Sequence, residues 1–456
     1  MAFKDYFQKD LYDLQNTKQI KELQLVKLRA ALKKFYDRSP IVKLLLDATQ
    51  VNPTEITLEK FREIVPVRLQ RETTDAGAAM LGGGGNLVDK IAGLCGIDPQ
   101  DFKLLCSTSG TTGEPSPYFF TMEDIEASAY GFSRSLWLLT KGSEAEIASF
   151  RAVQGFAMSM VGAGIPAIEA FMRIGVPVIP VGAEGGTERI FYFTKKLGGN
   201  FLFCTPSLAE HMLDKDPVRA RELNLKRIMC GAEPGAGIPE VRAKLEKGYG
   251  CPLVDAMGLI WGVTWVSCDE KEYAGMHYLS DDMHLVELID PETQAFIPMT
   301  EGAVGQIVVT PMTGSMPPIR TSSGDMVQIF TEPCKCGQPG WRMKVVGRSD
   351  DMLKVKGVVV YPAAIDGVIT GFVPRLTGEF RIVLDAPPPR VTPPLKLKVE
   401  YGEGVAEKDL PALAAEIEDA MHKNLKIRPA ITWLAPMSLE RSTYKTRFIE
   451  KAYQKK

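Results

Sequence analysis

The sequence predicts an α/β protein: a large N-terminal domain of several subdomains, with sheets flanked by helices plus a β-rich part, and a small α+β C-terminal unit. From residue 100 to 260, short apolar runs alternate with stretches of helical character, the pattern of strands covered by helices. Residues 284 to 330 lose the helical stretches, and Val286, Val308 and Val309 lie among glycines and turns, which reads as β-rich. The tail, from about 348, carries two alternating runs and one amphipathic helix. At 456 residues the chain exceeds one ordinary core, so at least two domains are expected, divided as 1–347 and 348–456.

In chain order, Leu25, Leu28, Leu32 and Phe35 recur at helical spacing among lysines, predicting a helix over 16–37. Residues 39–75 alternate briefly between polar and apolar, with prolines, and carry no recognisable chemistry. The run Gly82–Gly85 lacks a following GK[ST] and reads as a loop, not a phosphate cradle. The runs 102–105, 176–181, 201–204, 227–230 and 253–256 are expected strands. The most apolar stretch, 155–171, is interrupted by Glu169 and too short to span a bilayer, so it reads as a buried helix. In the tail, Phe380, Ile382 and Leu384 alternate on one strand and Leu395, Leu397, Val399 and Tyr401 on another, joined by a proline-rich turn. Leu410, Leu413, Ile417 and Met421 form one helix face, and Ile431 and Trp433 start a last strand.

Net charge is −2, from 54 basic against 56 acidic residues, so no surplus of positive charge exists for a nucleic acid backbone. The opening residues Met1-Ala2-Phe3-Lys4-Asp5 lack the apolar core of a signal peptide, and a cytoplasmic, non-membrane location is expected. Eight scattered cysteines do not form a secreted disulfide framework, and Cys106, Cys204 and Cys230 sit in apolar strings as buried thiols. Cys268, His277, Cys334 and Cys336 are set apart: three thiolates and one imidazole make a closed tetrahedral zinc set, structural because no coordination position stays open. The alternative is free thiols in a reducing compartment beside a surface histidine. His211, His284 and His422 are isolated and read as structural.

The sharpest local signal is Ser107-Thr108-Ser109-Gly110-Thr111-Thr112-Gly113-Glu114-Pro115, directly after the apolar run 102–106. Interleaved hydroxyls and glycines let backbone N–H and side-chain O–H groups converge on an anion. It resembles the phosphate loop of the adenylate-forming superfamily, which includes acyl-CoA synthetases, firefly luciferases and nonribosomal adenylation domains. Five further segments follow in that superfamily's order. Gly231-Ala232-Glu233-Pro234 resembles its adenine-binding GAEP, and Asp255-Ala256-Met257-Gly258 the segment flanking the base. RTSSGD at 320–325 resembles the ribose segment, GRSDDMLKVKG at 347–357 the hinge motif, and RSTYKTR at 441–447 the terminal segment with the catalytic lysine. GGTER at 185–189 and CKCG at 334–337 resemble one branch, phenylacetate–CoA ligase and its relatives. The likeness runs from about residue 20 to 450.

The resemblance implies a small mobile C-terminal domain and a two-step reaction. A substrate carboxylate attacks the α-phosphate of ATP, pyrophosphate leaves, and the acyl-adenylate passes to coenzyme A. Ser109, Gly110, Thr111, Thr112 and Gly113 would wrap the phosphates. Ala232, Glu233, Pro234, Asp255, Met257 and Gly258 would frame the adenine. Asp325 would accept from both ribose hydroxyls, with Arg348 adding a donor. Lys445 would place its ammonium between carboxylate and α-phosphate, against the plainer reading of an exposed lysine in a basic tail. Asp350 would be the pivot that swings in the face near Lys354, Lys356 and Gly357, although Lys354 and Lys356 also read as alternate positions on an exposed strand. The acid is expected to be aryl or arylacetic, with Phe156, Pro206, Gly258, Trp261 and Val263 as pocket candidates. A homodimer is common in that branch, and the oligomeric state stays open.

One departure matters. The family places Ser/Thr and a magnesium-binding glutamate after its Tyr-Gly pair, but here Ile260 and Trp261 stand there. An indole cannot coordinate a hard cation. Either Asp269 or Glu270 takes over, or ATP phosphates, Thr112 and water hold Mg²⁺, or the first half-reaction is weak. The competing readings are therefore an adenylating enzyme with another acceptor (a carrier protein, an amine or a coenzyme), and a non-catalytic nucleotide- or acyl-binding protein.

Overall fold

Short runs that are apolar on both faces become the parallel centre of the main sheet. The computed structural model describes residues 3–15, 17–69, 86–107, 117–258, 262, 264–315, 319–439 and 448–454. Strands Val178–Ile179, Ala152–Gln154, Phe201–Cys204, Arg227–Cys230 and Leu253–Gly258 lie in that spatial order, all parallel. Side chains alternate across the sheet. Leu202, Cys204, Ile228 and Leu253 pack with helices Gly186–Leu197, Pro206–Lys215 and Pro239–Tyr249. Phe201, Phe203, Met229 and Val254 pack on the other face with helices Met122–Leu139 and Ile165–Arg173. Burial on both faces explains why these strands read as continuous apolar runs.

After Leu253–Gly258 the sheet turns antiparallel, through Thr264–Ser267, Met276–Tyr278, Arg342–Arg348, Asp325–Phe330 and Val304–Pro311. This is the expected β-rich part. A buried ion pair bolts helix Met122–Leu139 to it: Arg134 Nη1 donates to Asp282 Oδ1 at 2.5 Å and to Leu279 O at 2.9 Å.

A separate hydrophobic core draws only on residues from Leu353 onward. Its sheet runs Pro429–Leu434, Leu395–Tyr401, Leu376–Leu384, Ile449–Lys451, and helix Leu410–Leu425 covers it with Leu410, Leu413, Ile417 and Met421. The strand holding Ile431 and Trp433 is thus not the last. Ile449–Lys451 follows and joins Leu376–Leu384 in parallel; three residues are too few to show a period.

Three expectations need correcting. Residues 155–171 are not one helix: only Ile165–Arg173 is helical. Before it the chain folds back tightly on its neighbours, where a Cβ at Gly155 would lie 2.9 Å from Cys204 Cβ and one at Gly164 would lie 2.6 Å from Ala157 O. The helix Lys18–Arg38 forms as expected, but Gln24 rather than Leu25 completes its buried stripe, because its amide donates to Asp281 Oδ1 at 3.2 Å. Residues 39–75 contain helices Pro40–Thr49 and Leu58–Ile64, capped by Ser39 and Thr57. The run Gly82–Gly85 lies outside the described residues. Among the described residues no helix is long and apolar enough to cross a membrane.

Candidate functional site

Ligands of open parallel sheets bind beyond the carboxyl ends of the strands, and the expected adenine residues gather there. Gly231, Ala232 and Glu233 leave strand Arg227–Cys230, and Asp255, Met257 and Gly258 lie on the neighbouring Leu253–Gly258. Gly231 cannot carry a side chain without collision, since a Cβ would lie 2.7 Å from Ala256 O. Ala232 turns with φ 66° and is exposed, and Pro234 starts a short turn to Gly237. Ser207, in the first turn of helix Pro206–Lys215 that follows strand Phe201–Cys204, donates to Glu233 Oε1 at 2.6 Å and so fixes the loop from the next strand over. Phe156 and Pro206 are buried at the same edge. Asp255 is buried, which raises its pKa from 3.8 to about 6, against the opposing pull of a hydrogen bond from Tyr273 and of the Arg242 and Lys344 charges.

The residues expected at the ribose and the hinge meet through strand register. Asp325 pairs with Arg348 across antiparallel strands. The Arg348 guanidinium lies 3.6 Å from Asp325 Oδ1 and grips Asp350 with two bonds, Nε to Oδ1 at 2.8 Å and Nη2 to Oδ2 at 3.1 Å. Ser323 Oγ donates to Asp325 Oδ2 at 2.5 Å. Arg320 of the same motif points elsewhere: it is buried and bonds Glu287 Oε2 at 3.0 Å and Val65 O at 2.5 Å, a bolt and not a ligand. The Arg342–Arg348 strand packs on the 234–237 turn, so base-side and sugar-side residues are contiguous. A Cβ at Gly347 would lie 2.3 Å from Tyr361 Cδ1, so the hinge motif needs glycine there for close approach. Helix Pro362–Thr370 docks on Pro239–Tyr249.

Lys354 and Lys356 do not share a strand face. Lys354 lies on Leu353–Val355 and pairs with Glu292. Lys356 (φ 50°) and Gly357 (φ 83°) form the two-residue turn between Val355 and its partner Val358, and both are exposed. Two positive φ values make this the tight turn that hairpins favour. Asp269 cannot replace the missing glutamate. It pairs with Arg227 at 2.6 Å, at the opposite end of strand Arg227–Cys230 from Glu233, and Glu270 is adjacent to it.

The four candidate metal ligands converge. Cys268, His277, Cys334 and Cys336 bring one ligand atom each to within 4.8 Å of one another. Cys268 Sγ is 3.7 Å from Cys334 Sγ, and Cys336 Sγ is 3.4 Å from His277 Nε2. His277 is wholly buried, not a surface histidine. Arg342, beside His277 in register, ties the cysteine loop down by donating to Glu332 O and Ala274 O.

Ser109, Gly110, Thr111, Thr112, Gly113, Ile260, Trp261, Val263 and Lys445 lie outside the described residues. The root of the phosphate loop is described: Ser107 N donates to Met160 O at 2.5 Å. Glu184 fixes that contact by accepting from Met158 N at 2.9 Å, Ser159 N at 2.9 Å and Ser159 Oγ at 2.7 Å. Sequence reasoning missed Glu184, Ser207 and Tyr273. Ser207 follows an expected strand and could have been found by the carboxyl-end rule; the other two act across loops that no spacing connects.

Residues 357–451 match the family described as AMP-binding enzyme C-terminal domain. The chain is 28% identical to the phenylacetate–coenzyme A ligase of Thermus thermophilus, covering 96% of this chain and 97% of that protein. It is 24% identical to the enzyme of the same name from Aromatoleum evansii, covering 93% and 92%. Its fold matches a solved 2-hydroxyisobutyryl-CoA ligase in the postadenylation state with R3-HIB-AMP (TM-score 0.80, 22% identity, 94% and 88% covered). The match to that ligase with 2-HIB-AMP and CoA in the thioesterification state has TM-score 0.63 at 23% identity, covering 96% and 90%. The chain thus has the adenylate-forming fold and resembles the phenylacetate–CoA ligase-like branch along its length.

Asp255 generates a stability prediction. Its folded pKa, about 6, exceeds the ordinary 3.8, so the folded chain holds this proton more tightly than the unfolded one. Stability from this group is present below the unfolded value and is lost as pH rises through about 6. In nucleotide-free protein, Asp255→Asn should gain on the parent as pH rises from about 4 to 7, by on the order of 2–3 kcal/mol in denaturant unfolding. A pH-independent difference would contradict this.

Proposed function

We propose that this chain activates an aryl or arylacetic acid with ATP and transfers the acyl group to coenzyme A. One observation carries the reading: the strand that ends at Arg348 packs on the turn after Glu233, and Arg348 touches both Asp325 and Asp350. In the first step a carboxylate oxygen bonds to the α-phosphorus and the bond to the β-phosphate oxygen breaks, releasing pyrophosphate. In the second, the coenzyme A sulfur bonds to the acyl carbon, the acyl–phosphate bond breaks, and AMP leaves with the thiol proton lost to solvent.

Glu233 and Asp255 frame the adenine and Asp325 accepts from the ribose hydroxyls. Ser109 to Gly113 surround the phosphates, and Lys445 bridges the two anions. Magnesium, which spreads phosphate charge, would sit with Thr112, the phosphates and water. The part from 348 on acts as a lid pivoting at Asp350. Support comes from the better match to the postadenylation than to the thioesterification state of one ligase at nearly equal coverage, as expected of a lid in the first of two positions. The names of the relatives favour an arylacetic acid, and their acceptor, coenzyme A, is preferred here to a carrier protein or amine. Acid-dependent exchange of pyrophosphate into ATP, and coenzyme A consumption with phenylacetate, should both be found. Asp350→Pro should keep the exchange and lose thioester formation by at least about 100-fold. Absence of exchange with any carboxylate would favour the non-catalytic reading that Ile260 and Trp261 raise.

Cys268, His277, Cys334 and Cys336 fit a structural zinc: three soft sulfurs and one imidazole nitrogen lie within 4.8 Å of one another. Elemental analysis should find about one zinc per chain, and Cys336→Ala should lose it and melt earlier. Well under one zinc in the parent protein would end the assignment.

A further inference from the structure

We propose that Tyr273 is a positioning residue of the adenine site, and that the Cys268/His277/Cys334/Cys336 cluster holds it there, so that metal occupancy and nucleotide recognition are coupled. The inference rests on the nucleotide site proposed above.

Tyr273 lies in the loop between strands Thr264–Ser267 and Met276–Tyr278. That loop begins at Cys268 and returns to the sheet at Met276, directly before His277, so cluster residues stand at both of its ends. From the loop, the Tyr273 hydroxyl donates to Asp255 Oδ2 at 2.5 Å. The bond is boxed in. A Cβ at Gly237, at the end of the turn after Glu233, would lie 2.9 Å from Asp255 Oδ2 and 3.1 Å from the Tyr273 hydroxyl. Two cations flank the ring: Arg242 lies 5.3 Å and Lys344 5.8 Å from its centroid. Asp255 N donates to Ser267 Oγ at 2.9 Å, one residue before Cys268. The backbone of Asp255 and one of its oxygens are therefore fixed from the strand and loop that the cluster anchors.

This arrangement has a chemical purpose. A carboxylate beside adenine accepts most strongly from the exocyclic amino group when it is ionised and correctly turned. Burial opposes ionisation, while the Tyr273 bond and the Arg242 and Lys344 charges favour it. The buried Cys230 thiol also faces this carboxylate from the neighbouring strand. Tyr273 thus sets both the orientation and the charge of Asp255, and a merely structural tyrosine would set neither. Loss of metal would leave three thiols and an imidazole crowded together with nothing to bind, and the loop that presents Tyr273 would lose its anchor.

The test is isothermal titration of AMP between pH 5 and 8, using the full chain. The parent protein, Tyr273→Phe and parent protein stripped by a strong zinc chelator are compared, with zinc content measured in each. Tyr273→Phe should weaken AMP binding about 10-fold at pH 7 and move the acid limb to higher pH, because its hydrogen bond no longer favours the carboxylate. Stripping should reproduce both effects, and should add little to Tyr273→Phe. Unchanged affinity and acid limb in Tyr273→Phe would overturn the positioning role, while parent binding of AMP would leave the nucleotide site intact. Unchanged AMP binding after stripping would overturn the coupling. No AMP binding by the parent at any pH would overturn the nucleotide site itself, and this inference with it. If Tyr273→Phe does not fold, Tyr273→His, which keeps a ring and a donor, should bind more tightly than Tyr273→Ala; equal affinities would overturn the role.

Discussion

One guanidinium links the two aspartates on which the proposed chemistry depends. Arg348 holds the carboxylate of Asp350, the proposed hinge, in a two-bond grip and lies against the carboxylate of Asp325, the proposed ribose ligand. The strength of this contact suits a moving part. The Arg348 and Asp350 side chains keep about a third of their exposure, so their pairing is screened and worth on the order of 1 kcal/mol. Arg134 and Asp282 are fully buried, and removing one partner of such a pair costs about 3–5 kcal/mol. The chain thus has buried pairs, Arg134–Asp282 and Arg320–Glu287, inside the large domain, and a solvated one at the position proposed to rotate.

The surrounding fold makes that contact possible. Antiparallel register brings Asp325 opposite Arg348, and the same strand carries Lys344 to the Tyr273 ring beside Asp255. The proposed base and sugar contacts therefore lie on two parts of one continuous sheet: the carboxyl ends of its parallel strands and the antiparallel strands beyond them. The tail begins where the Arg348 strand ends. Under the proposed function, a lid hinged there would carry the nucleotide's sugar contact at its root, which would link nucleotide binding to lid position without any longer relay.

The parallel strands were legible because burial on both faces leaves an uninterrupted apolar run, and 201–204 and 227–230 fall where the sequence puts them. The same logic misled at 155–171. The apolar run there covers a tight loop that packs against Cys204 at Gly155 but leaves Met160 exposed, and composition alone cannot tell such a loop from a helix. Lys356 looked like a strand residue until its positive φ put it in a turn. Among candidate site residues, motif order singled out Glu233, Asp255, Asp325 and Arg348, which the fold brings onto contiguous elements, and residue type singled out the cluster, whose ligand atoms converge. Tyr273 and Glu184 were not, because each acts across space on residues 18 and 25 to 26 positions away, with no period to reveal the contact.

The most direct measurement is isothermal titration of AMP against Asp325→Ala. If Asp325 holds the ribose beside Arg348, the variant should lose at least about 10- to 100-fold in affinity, the loss of charge-assisted hydrogen bonds to two hydroxyls. Affinity equal to the parent's would mean that the sugar sits elsewhere and that Arg348 joins two aspartates for a purely structural reason.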